Sequence, residues 1–210
     1  MKLIDMNVSA FLDEMASDSP APGGGSAAAL CGAQGAGLAA MVASFTIGRK
    51  KFAEFEENAI VVRDAELALV EKLKIQIDKD TEAFNLVAAA FKLPKVTDEE
   101  KAARSAAIQA GTLVSTEVPF ETMGLALEAL RTAKKLLTGF NDGAASDLGV
   151  AAWNLLTCVK GAWLNVCINI GSLKDKEAAE SFRSRGQAIL KEAEAIAAEI
   201  TAKADAIIGC

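Results

Sequence analysis

Ser19-Pro-Ala-Pro-Gly-Gly-Gly-Ser26 runs into an uncharged Ala/Gly-rich segment that ends at Gly48-Arg-Lys-Lys51. Two prolines stiffen the approach, and three glycines let the chain turn through angles closed to other residues. Ser26 is placed to cap the helix that follows. That helix carries mostly small side chains, so neighbouring backbones can lie close against it. Its start presents free N–H groups at the positive end of the helix dipole. A small ligand with carbonyl or carboxylate groups suits that position.

Working outward, the rest of the chain reads as helix. Alanine and leucine dominate the 210 residues, there are four prolines, and tyrosine is absent. Helical periodicity predicts segments near Val8–Ala16, from Ser26 to about Ile47, from near Phe52 to about Phe91, and over roughly Asp98–Gly111. Further segments are expected from Glu117 to Thr138 with Pro119 in the first turn, from Ala145 to Ile170, and from Asp175 to Ile207. Thr97-Asp-Glu-Glu100 has the pattern of a capping box. No linker or repeat divides these segments, so the expectation is one all-α domain over residues 1–210, a bundle of long antiparallel helices.

Charge and residue usage exclude several classes. A net charge of −6 argues against a general nucleic-acid surface. With no histidine, the Ser-His and Cys-His nucleophile pairs and the commonest zinc ligand are gone, and no cluster has metal-ligand spacing. Acid–base work must fall to Asp, Glu, Lys or Cys. The four cysteines show no C-x-x-C spacing, and no signal peptide opens the chain, which points to a reducing cytoplasm. The window between Asp18 and Arg49 is long enough to cross a bilayer. It is mostly Ala, Gly and Ser, however, a composition that suits a helix buried in the protein or at a subunit interface.

Two patterns could carry chemistry. Leu73, Ile77, Asp80 and Phe84 fall within about 60° of one another on a helix, which sets a carboxylate in an apolar stripe. Burial raises such a carboxyl toward the range useful for proton transfer; a buried ion pair or internal cap is the structural alternative. Farther on, Asp147, Asn154, Asn165 and Asn169 also align within roughly 60°, with Gly161 on the same face. That stripe either fixes helix register or lines a polar cleft. The Arg49-Lys50-Lys51 cluster is either a solvated helix end or a hold for an anionic tail. The glycine string lacks the Lys-Ser/Thr of a nucleotide loop and follows no strand.

Taken in order, Ser19–Ser26, Thr46-Ile-Gly-Arg-Lys-Lys51, Asp80-Thr-Glu-Ala-Phe84, Asn141 with Ser146-Asp-Leu-Gly-Val150, and Asn165-Val-Cys-Ile-Asn169 resemble the cyclodeaminase/cyclohydrolase family over nearly the whole chain. The resemblance implies an all-helical homodimer with a folate groove near the subunit interface and no metal or cofactor. It implies that Gly24, Gly25, Ser26, Asn141, Ser146, Asp147, Asn165 and Asn169 meet the substrate, with Asp80 as the acid–base group. Lys50 and Lys51 are then candidates for the glutamate tail, whether single or polyglutamyl. The implied activity is methenyltetrahydrofolate cyclohydrolase. The alternatives are formiminotetrahydrofolate cyclodeaminase and a non-catalytic folate-binding dimer.

Overall fold

A computed structural model describes residues 2–210. Six α-helices account for most of it: α1 (Val8–Met15), α2 (Gly24–Thr46), α3 (Glu56–Phe91), α4 (Asp98–Lys134), α5 (Ala145–Ile170) and α6 (Lys176–Ile208). No strand occurs among the described residues. The all-α expectation holds.

The packing follows from side-chain size. α2 lies between α3 and α5, and α4 closes the far side of both. A Cβ on Gly35 would sit 2.8 Å from the Ala151 carbonyl oxygen and 3.0 Å from the Leu155 nitrogen, so α2 and α5 meet almost backbone to backbone. Gly161 faces Ala28 and Gly32 faces Cys158 in the same way, which makes the two helices antiparallel along their whole length. The segment long and apolar enough to cross a membrane is thus the central helix of the bundle. Leu69, Leu73, Leu130, Leu148 and Leu155 fill the space around it and are buried. Each contributes roughly 1.5–3 kcal/mol through burial. α6 covers α5 from outside, where Gly186 receives the Trp163 ring.

Two expectations about elements fail, each for a visible reason. The predicted break near residues 111–117 is absent: α4 runs unbroken, with Pro119 in its interior. Proline has no N–H to offer the carbonyl four residues back, here that of Ser115. Asn169 of α5 supplies the missing donor, its Nδ2 donating to the Ser115 carbonyl at 2.6 Å. Similarly, the third helix does not begin at Phe52. A 3-10 turn over Lys50–Phe55 comes first, and α3 starts at Glu56. The Thr97–Glu100 capping box is present as expected.

Candidate active site

The start of α2 is built differently from the sequence expectation. Gly23 is the N-cap and Ser26 lies inside the helix, fully buried, so Ser26 does not cap it. The capping acceptor comes from another helix: the Ser26 N–H donates to Asp80 Oδ2 of α3 at 2.9 Å. The Ser26 hydroxyl donates to the Ile77 carbonyl at 2.8 Å and lies 3.2 Å from the same Asp80 oxygen. A Cβ on Gly25 would fall inside the Asp80 carboxylate, so only glycine lets the two helices approach this closely.

This arrangement leaves one carboxylate oxygen tied and one free. Asp80 Oδ1 accepts no hydrogen bond among the described residues. Burial pushes the Asp80 carboxyl above the ordinary aspartate range, while the Ser26 hydroxyl and N–H pull it partly back. Below its folded-state pKa the group is a neutral acid; above it, a base presented beside the unpaired amides of Gly24 and Gly25. Such a pair can hold an electron-rich group and move a proton at one atom. Of the apolar stripe, Leu73 and Ile77 are buried as expected, whereas Phe84 is exposed.

Asn165 belongs to this end of the molecule. Its Nδ2 donates to the Gly161 carbonyl at 2.9 Å and lies 3.5 Å from where a Gly24 Cβ would stand. Asn169 is next on the same face, but its amide is engaged by Ser115, whose hydroxyl in turn donates to the Ala83 carbonyl. Asn169 therefore joins α5, α4 and α3 around the site. Ser115 was missed by sequence reasoning. Its signal was Pro119, four residues on, which marks an orphaned carbonyl in need of a donor.

The other candidates lie at the opposite end of α2, about 33 Å away for its 23 residues. Asn141 is used up structurally: its N–H donates to Thr46 Oγ1, its Nδ2 to the Phe45 carbonyl, and its Oδ1 accepts from the Gly143 N–H. Lys51 sits 3.7 Å from Asp142 and 4.9 Å from the Phe52 ring centre, and Lys50 is exposed. Ser146 is exposed and Asp147 half-buried, neither with a side-chain partner among the described residues. One chain thus carries two clusters: Gly24, Gly25, Ser26, Asp80, Asn165 and Asn169 at one end, and Lys50, Lys51, Asn141, Ser146 and Asp147 at the other. No three His, Cys, Asp or Glu residues among those described gather as a metal site.

Comparison with known proteins gives consistent results. The family model described as Formiminotransferase-cyclodeaminase matches residues 7–188. The methenyltetrahydrofolate cyclohydrolase of Methylorubrum extorquens is 40% identical over 189 residues, covering 90% of this chain and 91% of that protein. The formimidoyltransferase-cyclodeaminase of Rattus norvegicus is 35% identical over 204 residues, covering 97% of this chain but 38% of that longer protein. The crystal structure of formiminotetrahydrofolate cyclodeaminase from Thermotoga maritima aligns with a TM-score of 0.79 at 26% identity, over 98% of this chain and 96% of that one. By fold and by sequence, the chain belongs to the formiminotransferase-cyclodeaminase family.

Proposed function

We propose that the protein is a methenyltetrahydrofolate cyclohydrolase, interconverting 5,10-methenyltetrahydrofolate and 10-formyltetrahydrofolate. The observation that carries this reading is the Asp80 carboxylate, tied through Oδ2 and free at Oδ1. Near-complete mutual coverage with the Methylorubrum cyclohydrolase supports it. In the methenyl substrate the bridging carbon is part of a cationic amidinium, which an ionised Asp80 attracts. Water adds to that carbon while Asp80 takes one proton from the attacking water. As the bond from the carbon to N5 breaks, the carboxyl returns the proton to N5. Loss of the remaining hydroxyl proton leaves the formyl group on N10. The free Gly24 and Gly25 amides and the Asn165 side chain orient the substrate, an effect that accounts for a large share of such barriers.

The two clusters lie too far apart to hold one ligand within one chain. A homodimer with two-fold symmetry resolves this, since an antiparallel partner brings its Asp147 end beside the Asp80 end. Val150, Trp153, Leu164 and Ile168 form an exposed apolar stripe along α5 between the clusters, and this stripe supports such a contact. The reading carries with it a cytoplasmic enzyme that needs no metal or cofactor.

Purified protein mixed with 5,10-methenyltetrahydrofolate should bleach the methenyl absorbance, and Asp80→Asn should lower that rate by about 1000-fold with the fold retained. Near-normal turnover by Asp80→Asn would overturn the assignment. Asp147→Asn is expected to be inactive as well, and mixed, refolded Asp80→Asn and Asp147→Asn chains should recover about a quarter of wild-type activity. No recovery would break the two-chain site. The names of the Rattus and Thermotoga proteins favour a second reading, cyclodeamination at the same carboxylate, which ammonia release from the formimino substrate would reveal.

A further inference from the structure

The Ser26 hydroxyl has one hydrogen and more than one oxygen competing for it. Its own oxygen lies 2.8 Å from the Ile77 carbonyl, 3.2 Å from Asp80 Oδ2 and 3.3 Å from Thr81 Oγ1. The shortest of these contacts gives the hydrogen to Ile77. An ionised carboxylate is the stronger acceptor, however, so ionisation of Asp80 turns the Ser26 hydroxyl toward Oδ2. Neither arrangement leaves Ser26 a hydrogen for Thr81. In that third contact the Thr81 hydroxyl is therefore the donor and Ser26 Oγ the acceptor.

Thr81 departs from the habit of the buried threonines. Thr46, Thr112, Thr116 and Thr122 each donate to the carbonyl four residues back in their own helix. For Thr81 that carbonyl belongs to Ile77, and Ser26 occupies it. The Thr81 hydroxyl has no side-chain partner but Ser26 among the described residues. Donation into Ser26 Oγ polarises the Ser26 O–H, which then donates more strongly to the carboxylate.

Charged groups stand away from this cluster. α2 carries no charge, and α5 brings the neutral Asn165 and Asn169. On α3, Asp78, Lys79 and Glu82 line outer grooves, with Lys2 and Asp5 on one side and Glu117 and Glu121 of α4 on the other. Lys79 pairs with Glu121 at 3.2 Å. Burial raises the Asp80 carboxyl, and the Ser26 hydroxyl and N–H lower it. A two-fold partner would set its own Lys50, Lys51 and Asp147 nearby, charges common to wild type and to variants at Thr81.

We propose that Thr81 is a positioning residue for the reaction at Asp80: acting through Ser26, it favours the ionised carboxylate that takes a proton from water. This rests on the reading of Asp80 as the acid–base group. The acid limb of kcat/KM for 5,10-methenyltetrahydrofolate reports Asp80 ionisation. Without the Thr81 hydroxyl the carboxyl ionises less readily, so Thr81→Val should move that limb up by about half a pH unit, the scale of a weak neutral hydrogen bond. On the limb kcat/KM then falls about threefold, and on the plateau it is unchanged. Thr81→Ser should restore the wild-type profile. In a Ser26→Ala background Thr81→Val should add no shift, because its route to Asp80 is gone. An unmoved limb, an equal loss at every pH, or the same shift in the Ser26→Ala background overturns the proposal. Should wild type turn over no methenyl substrate, the cyclohydrolase reading fails. Carbon NMR of the Asp80 carboxyl in the ligand-free protein then decides Thr81 separately: a titration raised in Thr81→Val supports the proposal, and an unchanged one overturns it.

Discussion

The two ends of α2 are built from similar parts and used in opposite ways. At its C-terminal end, Asn141 of the α4–α5 connection spends its N–H, its amide nitrogen and its amide oxygen on Thr46, Phe45 and Gly143. At its N-terminal end, one N–H is paired with Asp80, and the amides of Gly24 and Gly25 and one carboxylate oxygen are left over. A satisfied polar cluster fixes geometry, whereas an unsatisfied one stays reactive toward what enters. α3 repeats the contrast with two carboxylates. Asp80 is half-buried and anchored; Glu66 is wholly buried, and neither of its oxygens has a partner. Burial, with Glu128 nearby, pushes the Glu66 carboxyl up to about 9, against a weaker opposing effect from Lys135.

The largest expected effect comes from Glu66. An unfolded glutamate ionises near its ordinary value of 4.5, while the folded group keeps its proton until about 9. The unfolded state therefore binds fewer protons across that window, and stability falls as pH rises through it, by about 1.4 kcal/mol per pH unit. Glu66→Gln removes this slope. Denaturant melts at pH 5 and pH 8 should show the variant gaining roughly 4 kcal/mol on wild type between the two. Parallel curves would mean that Glu66 is paired after all.

Gly25→Ala comes next. Its new methyl group must displace the Asp80 carboxylate, and a displacement of about 1 Å at a reacting group costs on the order of 100-fold in rate. Turnover assays at unchanged helical content would show it. If activity persists, the close approach of α2 and α3 is not what positions Asp80.

Asn169→Leu should cost about 2 kcal/mol by leaving the Ser115 carbonyl without a donor. Adding Pro119→Ala restores a backbone N–H to that carbonyl and should recover most of the loss. Additive losses in this cycle would show that Asn169 acts some other way. Asn141→Ala should be the mildest, about 1 kcal/mol in thermal melts, because its groups are partly exposed to water. A large catalytic loss there without a stability loss would show that Asn141 meets the substrate rather than only fixing the α4–α5 connection.

Much of this was legible in the residues. The helical periodicity, the glycine string and the carboxylate at Asp80 all follow from local pattern, and local pattern is what a sequence carries. What stayed hidden depends on distant partners. Ser26 reads as a cap until Asp80, fifty-four positions away, is seen to supply the acceptor. Pro119 reads as a helix start until Asn169 is seen to repair the bond it breaks. Asp147 and Asn165 align on one helical face, yet eighteen residues along α5 separate them by about 27 Å. Angular alignment says nothing about which end of the bundle a residue occupies.

The hydrogen bond from the Ser26 amide to Asp80 ties the stability of a helix end to the charge of a side chain. A carboxylate is a stronger acceptor than the neutral acid, so α2 is held most firmly when Asp80 is ionised. When that group takes up a proton, the first turn of the central helix should loosen, and the protection of the Ser26 amide against hydrogen exchange, taken relative to its intrinsic rate at each pH, should fall as pH drops through the Asp80 titration. The helix end thus serves as a built-in indicator of where the proton is.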